Sequence, residues 1–558
     1  MKLKNIFALN LMAAVLAGCG GGDVNLNPSN TVSGSNNTAT TVNNPAAAVP
    51  VVNPCAQYEQ DGQKLQGAQD GKNCVYNTSF ASSAKQLKVS LFIPELAGGV
   101  HIFQGALFIG EDVDSNVALA GKRIPQEGEG ATLTIEAGAK LAFDRGEDYL
   151  RIARGSKIVA QGTKDKPIII SGTKDLRDKT ATIADRGLWG GIQINGNGIT
   201  NKCTDTQRQP TASNVHGCHI TSEGLPGTYG GNNNAESSGI LKYVVVKHAG
   251  YKVVEGNELN AITLNGVGSK TIIDYVQAYS TADDGFEWFG GAVSAKHIVT
   301  VGTSDDAFDF TDGYVGNIQY ALSVHPTAVG GNNCVEADNT GVGRADDISP
   351  LTKVRISNLT CVTNNVVKNQ GTVTSPDGDS LGLLIREGFM VEVYNSVVTS
   401  NFTGQASKTL FNIHDTEGPQ TIKGAVDGWS VAKSNLFAGT VGATASKIDP
   451  ANAGFNVANW FASATNTNNV LVTALNRLPV NVLKGSATND KAYLTLAAIT
   501  DATTAAITVP VFDVATLADK FTAGAVPTVG TSTFFVKPTH IGAASETNDW
   551  VAGWTVGL

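Results

Sequence analysis

The segment Asp283-Asp284-Gly285-Phe286-Glu287-Trp288 is followed 22 residues later by Asp305-Asp306-Ala307-Phe308-Asp309-Phe310, and this near-repeat decides the fold. Gly291 and Gly313 keep the same spacing, and a short apolar strand follows each copy. A unit of about 20–30 residues cannot bury its own apolar face, so such units stack on one another. We therefore predict an all-β fold, a right-handed parallel β-helix (solenoid) with small N- and C-terminal caps and one coil per repeat.

The repeat extends in both directions from this pair. The first strand of each coil, strand A, has candidates at 192–194, 262–264, 286–288, 308–310, 335–337, 385–387 and 411–413. The second strand, strand B, has candidates at 243–245, 275–277, 297–299, 319–321, 356–359 and 393–397. Their period-2 pattern is that of a surface buried on one face. The unequal spacing of the A strands predicts loops of unequal length on one side, where function usually resides.

The N-terminus predicts an exported, lipid-anchored protein. Lys2 and Lys4 precede an apolar run over 6–15, and Leu16-Ala17-Gly18-Cys19 resembles the bacterial lipobox, whose cysteine is lipidated. An ordinary cleaved signal is the alternative. The apolar run is too short to span a bilayer. In signals of this kind a residue other than Asp after the cysteine, here Gly20, favours the outer membrane, facing either the periplasm or the medium.

Composition divides the rest of the chain. Residues 20–54 are rich in Asn, Thr, Gly, Ala and Pro without an aromatic residue, which predicts a flexible tether. After the signal peptide (1–19) and this tether, we expect an N-terminal cap over 55–100, the β-helix over 101–440, and irregular final coils with a C-terminal cap over 441–558. Within the last part, 455–462 has the pattern of a short amphipathic helix. The tail with Trp550 and Trp554 is expected to pack back on the body.

The cysteines predict disulfides rather than a metal site. Removing Cys19 leaves six of the seven, and their proximity in sequence favours Cys55–Cys74, Cys203–Cys218 and Cys334–Cys361 among fifteen connectivities. An exported compartment permits disulfides. Metal thiolates usually require a C-x2-C pair, which is absent. A metal site remains an alternative at Cys218, because His216 and His219 flank it.

Two sets of motifs resemble known proteins. The run 155–163 with 166–170 resembles a signature of bacterial extracytoplasmic parallel β-helix proteins. Further markers resemble one subset of these, the lipoproteins of Gram-negative bacteria: they are 187–196, 229–232, the two Asp-Asp motifs and 549–555. The resemblance covers about residues 130–420 and the tail. It implies the solenoid and an envelope location, and it carries over no catalytic residue, because the subset has no settled activity.

A column of acids forms the main candidate site. Aligned on Phe286, the next position reads Thr263, Glu287, Asp309, Glu336 and Arg386 on successive coils. The flanking aromatic residues point inward, so the acids point outward. Coils lie about 4.8 Å apart, and like charges at about 5 Å repel by roughly 3 kcal/mol at an effective dielectric near 20.

This repulsion predicts a bound cation. Oxygen ligands without histidine favour Ca²⁺ as the cofactor, and the candidate ligands are Asp283, Asp284, Glu287, Asp305, Asp306, Asp309 and Glu336. The alternative is a solvated acidic stripe, balanced by Arg386 and by Asp side chains that cap turns.

An enzyme of the polysaccharide lyase or glycoside hydrolase type is the alternative function. A lyase would combine acidic calcium ligands with Arg386 or Lys368 as the base, and a hydrolase would use aspartates such as Asp284 and Asp306. The Gly-His-Gly element of such hydrolases is absent, and Arg177-Asp178-Lys179 precedes the aspartates instead of following them. No G-x-S-x-G, H-E-x-x-H or P-loop motif is present. We therefore expect a non-enzymatic binding or scaffold module.

The net charge and the aromatic residues limit the classes of partner that we expect. With 40 basic and 49 acidic residues the net charge is −9, which argues against nucleic acid. The expected partners are the membrane, through the N-terminal lipid, and a glycan or an envelope protein. Trp288 and Phe289 beside the acids would form a glycan platform if Phe289 is exposed, and a buried Phe289 favours a scaffold. His248, His297 and His414 are expected in the core or on the surface rather than in catalysis.

Overall fold

The structure is a computed structural model that describes residues 53–254, 256–326, 331–341, 343–363, 382–400, 409–415, 417–445, 452–472, 509–517, 520–521, 529–530, 534–545 and 547–558. The strands up to the middle of the chain are β1 (Gln57–Gln60), β2 (Gln63–Gln66), β3 (Ala68–Asp70), β4 (Asn73–Tyr76), β5 (Leu91–Ile93), β6 (His101–Phe103), β7 (Leu107–Ile109), β8 (Thr132–Ile135), β9 (Lys140–Phe143), β10 (Leu150–Ile152), β11 (Lys157–Gln161), β12 (Ile168–Gly172), β13 (Ile192–Asn195), β14 (Ile220–Thr221), β15 (Thr228–Tyr229), β16 (Gly239–Lys247), β17 (Tyr251–Val254), β18 (Asn257–Leu259) and β19 (Ile262–Asn265).

The later strands are β20 (Ile272–Thr281), β21 (Phe286–Phe289), β22 (Ala295–Thr303), β23 (Phe308–Thr311), β24 (Val315–Val324), β25 (Val335–Ala337), β26 (Lys353–Thr363), β27 (Leu383–Arg386), β28 (Met390–Tyr394), β29 (Val397–Ser400), β30 (Thr409–Asp415), β31 (Val431–Lys433), β32 (Leu436–Ala438), β33 (Thr440–Ala445), β34 (Val470–Val472), β35 (Lys520–Phe521) and β36 (Val529–Gly530). The helices are α1 (Ser115–Leu119), α2 (Thr173–Leu176), α3 (Asp205–Arg208), α4 (Gln420–Val426) and α5 (Val457–Phe461). None of the helices in the described ranges is long and apolar enough to cross a membrane.

One strand from each coil stacks in parallel to form sheet A. Its order is β7, β10, β13, β19, β21, β23, β25, β27, β30 and β33. The register places Ile262, Phe286, Phe308 and Val335 in one column, as the sequence predicts. These four side chains are buried in the solenoid interior. The prediction of a parallel β-helix is therefore confirmed.

The predicted A strand at 385–387 is two residues out of register. Leu384, not Arg386, pairs beside Glu336, and Arg386 lies level with His414. A long insertion separates this coil from the previous one, so the spacing does not set its phase. Because the shift is even, Arg386 keeps the outward orientation that period 2 assigns to it.

The second long sheet, sheet B, supplies the other sides of each coil. Its strands β16, β20, β22, β24 and β26 are longer than the predicted B segments. Each bends at an internal residue with a positive φ, and the strand is paired with its neighbours before and after this bend. The bends stack in register at Tyr243, Tyr275, His297, Tyr320 and Asn358. Each of these strands therefore contributes to two walls of its coil.

The N-terminal part begins with two antiparallel hairpins, β1–β2 and β3–β4. Strand β4 then pairs in parallel with β6, and β5 pairs in parallel with β8. Parallel stacking thus starts inside the range 55–100, where the sequence predicts only a cap. The Cys55–Cys74 disulfide fixes the start of the first hairpin to β4, with a Cα–Cα distance of 5.4 Å.

The structure contains the three disulfides that the sequence predicts. Cys203–Cys218 and Cys334–Cys361 have Cα–Cα distances of 5.8 and 6.2 Å. The disulfide occupies Cys218, and the flanking histidines have other partners. His216 Nε2 lies 3.3 Å from Asn197 Oδ1, and His219 Nδ1 lies 3.0 Å from Arg154 Nη2. The alternative of a metal site at Cys218 is therefore wrong.

The C-terminal part contains the predicted helix, and its tail packs back on the body as expected. Helix α5 lies within the predicted range 455–462, and its Trp460 and Phe461 side chains are buried at the last coils. Residues 534–545 and 547–558, here called the C-terminal segment, lie along the outer face of sheet B. Trp550 and Trp554 of this segment pack edge-on against Tyr275, with ring centroids 6.2 and 6.1 Å apart. The side of the solenoid, rather than its end, is what this segment covers.

Candidate cation site on the acidic face

The acids that the sequence aligns do form a column on the outside of sheet A. Glu287 pairs beside Asp309, and Asp309 pairs beside Glu336, on three successive strands. Only 8% of Glu287 is exposed, and the other two are partly buried. These three carboxylates are therefore poorly hydrated and closely spaced.

The second Asp of each Asp-Asp motif belongs to a ladder of turns. Asp284 N–H donates to Asn260 Oδ1 at 3.2 Å, Asp306 N–H donates to Asp284 Oδ1 at 2.9 Å, and Asn333 N–H donates to Asp306 Oδ1 at 2.6 Å. Each side chain thus satisfies the backbone of the next coil, where an unpaired N–H would be costly. Because the neutral Asn260 side chain supplies the first acceptor of this turn ladder, such an acceptor does not require a negative charge.

Three carboxylates converge at the centre of the column. The ligand oxygens of Asp284, Glu287 and Asp309 lie within 4.8 Å of one another, and we call these residues the acidic group. Asp283, Asp284 and Asp305 form a second such set, which shares Asp284 with the first. The Oδ1 atom of Asp309 is inaccessible to solvent and accepts no hydrogen bond within the described residues.

Burial raises the pKa of all three members of the acidic group well above the ordinary values, and neighbouring carboxylates raise it further. In the part of the chain that the structure describes, no lysine or arginine nitrogen lies within 4.0 Å of their oxygens. The Asn260 amide donates one hydrogen bond to Glu287. The group must therefore either retain protons at neutral pH or bind a cation.

Glu336 lies at the compensated end of the column. Arg386 Nη2 forms an ion pair with Glu336 Oε1 and lies 3.7 Å from Asp338 Oδ2. Burial raises the pKa of both Asp306 and Glu336, and the neighbouring Glu336 carboxylate raises the pKa of Asp306 further. Neither Asp306 nor Glu336 belongs to the two convergent sets. Within the predicted ligand list, the acidic group thus differs from Glu336, which is paired with an arginine.

Arg386 is unsuited to accept a proton. Burial lowers its pKa, but the carboxylates of Glu336, Asp338 and Glu387 outweigh burial and raise the pKa above its ordinary value. Asp284 and Asp306 are 7% and 4% exposed and serve the turn ladder. Lys368, the other candidate base, lies outside the described residues, as does Cys19. The structure therefore brings Asp284 and Asp306 together in the turn ladder and pairs Arg386 with other carboxylates, which does not give Arg386 the chemistry of a base.

One residue of the site was missed by the sequence patterns. Glu223 lies in the long excursion between β13 and β16, which the Cys203–Cys218 disulfide and a hydrogen bond from Gln193 Nε2 to Glu223 O at 2.9 Å hold in place. Its charge contributes to raising the pKa of Glu287, and burial raises the pKa of Glu223 itself to about 8. No strand pattern covers this excursion, so sequence spacing carries no signal for it.

The remaining candidates lie away from the acidic group. Asp312 is neutralised by Lys202 Nζ at 2.6 Å and Arg344 Nη1 at 3.3 Å. Trp288 and Phe289 are 0% and 8% exposed, so these two form no platform for a glycan. The Arg177-Asp178-Lys179 run is exposed just after α2. Of the predicted histidines, His248 and His414 are buried and His297 lies on β22.

The stacked parallel sheets and the outward column define the chain as a parallel β-helix protein. The family described as "Pectate-lyase like beta helix domain" matches residues 112–424, which is more than half of the chain. The chain therefore belongs to this family. No curated protein matches it. No solved structure matches it either.

Proposed function

We propose that this protein is a non-enzymatic binding or scaffold module of the cell envelope whose acidic group binds Ca²⁺. The observation that carries the proposal is the convergence of Asp284, Glu287 and Asp309 around the unpartnered, buried Oδ1 atom of Asp309. Uncompensated buried carboxylates are unfavourable, and a divalent ion would turn their mutual repulsion into attraction.

The donor set fits calcium chemistry. Ca²⁺ binds six to eight oxygens at about 2.3–2.6 Å, so two oxygens on one ion are at most about 5 Å apart. The oxygens of the acidic group lie within 4.8 Å of one another. The set offers no nitrogen or sulfur ligand, which disfavours a transition metal. Asp283 and Asp305 would extend the site toward the first turn of each coil, since they share Asp284 with it.

The envelope location rests on the N-terminal sequence. A lipid on Cys19 and the tether over 20–54 would hold the solenoid at the outer membrane, with its loops and acidic face available to a partner. The burial of Phe289 favours an envelope protein over a glycan as that partner. Replacing Cys19 by Ala is expected to abolish incorporation of radiolabelled palmitate and to release the protein from the membrane fraction. Unchanged palmitate incorporation would contradict the lipid anchor.

Thermal unfolding with and without Ca²⁺ tests the cation site. Ca²⁺ at 100 times its Kd should add about 2.7 kcal/mol of stability and raise the Tm. The variant Asp309→Asn should lose most of that increase. Asp306→Asn is the matched control, because it removes the same charge one position outside the acidic group and should retain the increase.

Two outcomes would contradict the calcium site. Ca²⁺ has no effect on the wild-type Tm if the column is only an acidic stripe. Equal loss of the calcium effect in Asp309→Asn and Asp306→Asn would indicate diffuse charge screening rather than a site. Mg²⁺ at the same concentration provides a further control, because diffuse screening does not distinguish the two ions, whereas a site of several protein oxygens favours Ca²⁺.

A polysaccharide lyase or hydrolase remains the second candidate, and the family description is the observation that favours it. The raised pKa of Arg386 and the turn-ladder role of Asp284 and Asp306 count against these residues as acid or base. Incubation with acidic polysaccharides in the presence of Ca²⁺ tests this alternative. If new reducing ends or unsaturated products appear with the wild type and not with an Asp309 variant, the protein is an enzyme and the scaffold proposal is wrong.

A further inference from the structure

Side-chain amides of sheet B hydrogen-bond to the backbone of the C-terminal segment. Gln277 donates from Nε2 to Val556 O at 2.7 Å and accepts from Val556 N–H at 2.8 Å. Gln319 makes the same pair of bonds with Val536, at 2.8 and 2.9 Å. Both glutamines are fully buried. Because each amide satisfies both backbone groups of one residue, this recognition does not depend on the side chain at that position.

Further side-chain contacts hold the C-terminal segment along the same face of sheet B. Asn358 Nδ2 donates to His540 O at 2.7 Å and to Gly542 O at 3.2 Å, and Thr360 Oγ1 accepts from Ala543 N–H at 2.7 Å. The first contact, at Val536, is with β24, and from residues 540–543 at β26 to Val556 at β20 the contacts follow the strands in reverse order. The segment therefore runs back along several coils of the solenoid.

Apolar anchors fill the groove between these amides. Trp550 and Trp554 are 7% and 3% exposed, and they pack in one cluster with outward residues of sheet B such as Val299 and Leu322. The stacked rings of Tyr243, Tyr275, His297 and Tyr320 border this cluster on the solenoid. Buried tryptophans whose neighbouring contacts keep water out are typical anchors of protein interfaces.

The segment is separable from the solenoid ladders. Among its described residues, the only β pairing is the bridge between Ser545 and Asn548, within the segment itself. The neighbouring strands of sheet B pair with each other through their own backbone groups. Removal of the segment would thus break side-chain contacts and the backbone hydrogen bond from Gly542 N–H to Asn395 O, and would expose apolar surface, while the coils keep the hydrogen bonds between their own strands.

We propose that the groove on sheet B is a peptide-binding site, that the C-terminal segment is its internal ligand, and that the same segment of a second copy can occupy it. Exchange between two copies would form the same contacts in each groove, so the balance depends on concentration and on the intervening chain. This interaction lies on a different face from the acidic group and does not depend on Ca²⁺.

A nicked protein tests the proposal directly. A protease site placed within 522–528 of the full chain allows cleavage after folding, and a fluorescent synthetic peptide of residues 534–558 serves as the competitor. We expect the cleaved segment to remain bound during gel filtration and to be displaced by excess peptide. A peptide with Trp550→Ala and Trp554→Ala is the matched control and should displace it at least tenfold less effectively.

Two results would overturn the proposal. Loss of the cleaved segment without any rebinding of the peptide would show that the groove does not recognise it in trans. Retention of the segment against any excess of peptide over days would show that it does not exchange. As a second readout, two differently tagged copies of the intact chain should co-purify after incubation at high concentration, and the competitor peptide should reduce that co-purification.

Discussion

The same coils present two outward faces, and stacking places different kinds of side chain next to one another on each face. On sheet A, neighbouring strands place Glu287 beside Asp309, so repetition adds like charges. On sheet B, Gln277, Val299 and Leu322 occupy one column, and the C-terminal segment covers it. A neutral column can be satisfied by the chain itself, whereas a buried acidic column requires protons or a cation. The difference separates a face that the chain covers with its own C-terminal segment from one whose charges the described chain leaves without a neighbouring cation at the acidic group.

The largest expected effect concerns the covered face. Trp554→Ala should lower the free energy of unfolding by about 3–5 kcal/mol, because a buried tryptophan is removed and a cavity remains. Urea unfolding measures the loss. Phe92→Ala is the control, since Phe92 is 53% exposed and should change stability by no more than about 0.5 kcal/mol. Similar losses in the two variants would mean that the C-terminal segment contributes little to stability.

Glu236, a buried acid outside the column, should make the stability of the protein depend on pH without any involvement of the acidic group. Glu236 accepts hydrogen bonds from Gly268 N–H at 2.6 Å and from Ser238 Oγ, yet burial raises its pKa from 4.5 to about 7. The folded protein therefore holds a proton that the unfolded chain releases, so stability falls as pH rises through this window. Above pH 7 the loss amounts to about 3 kcal/mol.

Urea unfolding at pH 5 and pH 8 checks this effect. The Glu236→Gln variant should lose less stability between the two pH values than the wild type. Addition of Ca²⁺ should leave the contribution of Glu236 unchanged, because this residue belongs to neither convergent set. An identical pH dependence in the variant and the wild type would contradict the assignment.

The smallest effect separates charge from hydrogen bonding in the turn ladder. In Ca²⁺-free buffer, Asp306→Asn should stabilise the protein by about 1 kcal/mol, because it removes one like charge and keeps the acceptor for Asn333 N–H. Asp306→Ala should instead destabilise it by about 1–3 kcal/mol, since a buried donor loses its partner. Thermal unfolding in EDTA measures both. Equal effects of the two substitutions would argue against the ladder.

The central coils could be predicted because their repeat is nearly exact in length. The column from Ile262 to Val335 follows directly from hydrophobic period and spacing. The predicted register was wrong at Arg386. A long insertion precedes this coil, so the repeat length gives no guide there, and the alternating apolar residues are compatible with two registers. The disulfides lay close in sequence, so proximity sufficed to pair them.

The parts that could not be predicted depend on distant contacts. Glu223 approaches the column on an excursion without a periodic pattern, and only the folded chain brings it near Glu287. The capping roles of the Asn260 and Asp306 side chains require knowledge of which turns are stacked. The tail was expected to pack on the body, but its groove involves side chains such as Gln277, 279 residues from Val556.

The two glutamines on sheet B give the solenoid a length gauge. Gln277 and Gln319 lie two coils apart and bind Val556 and Val536, which are 20 residues apart on the C-terminal segment. An added coil between them would stack without difficulty on the repeat, yet it would shift one glutamine by about 4.8 Å relative to its backbone partner. The covered face therefore restricts how many coils this chain can gain or lose, while sheet A alone would impose no such count.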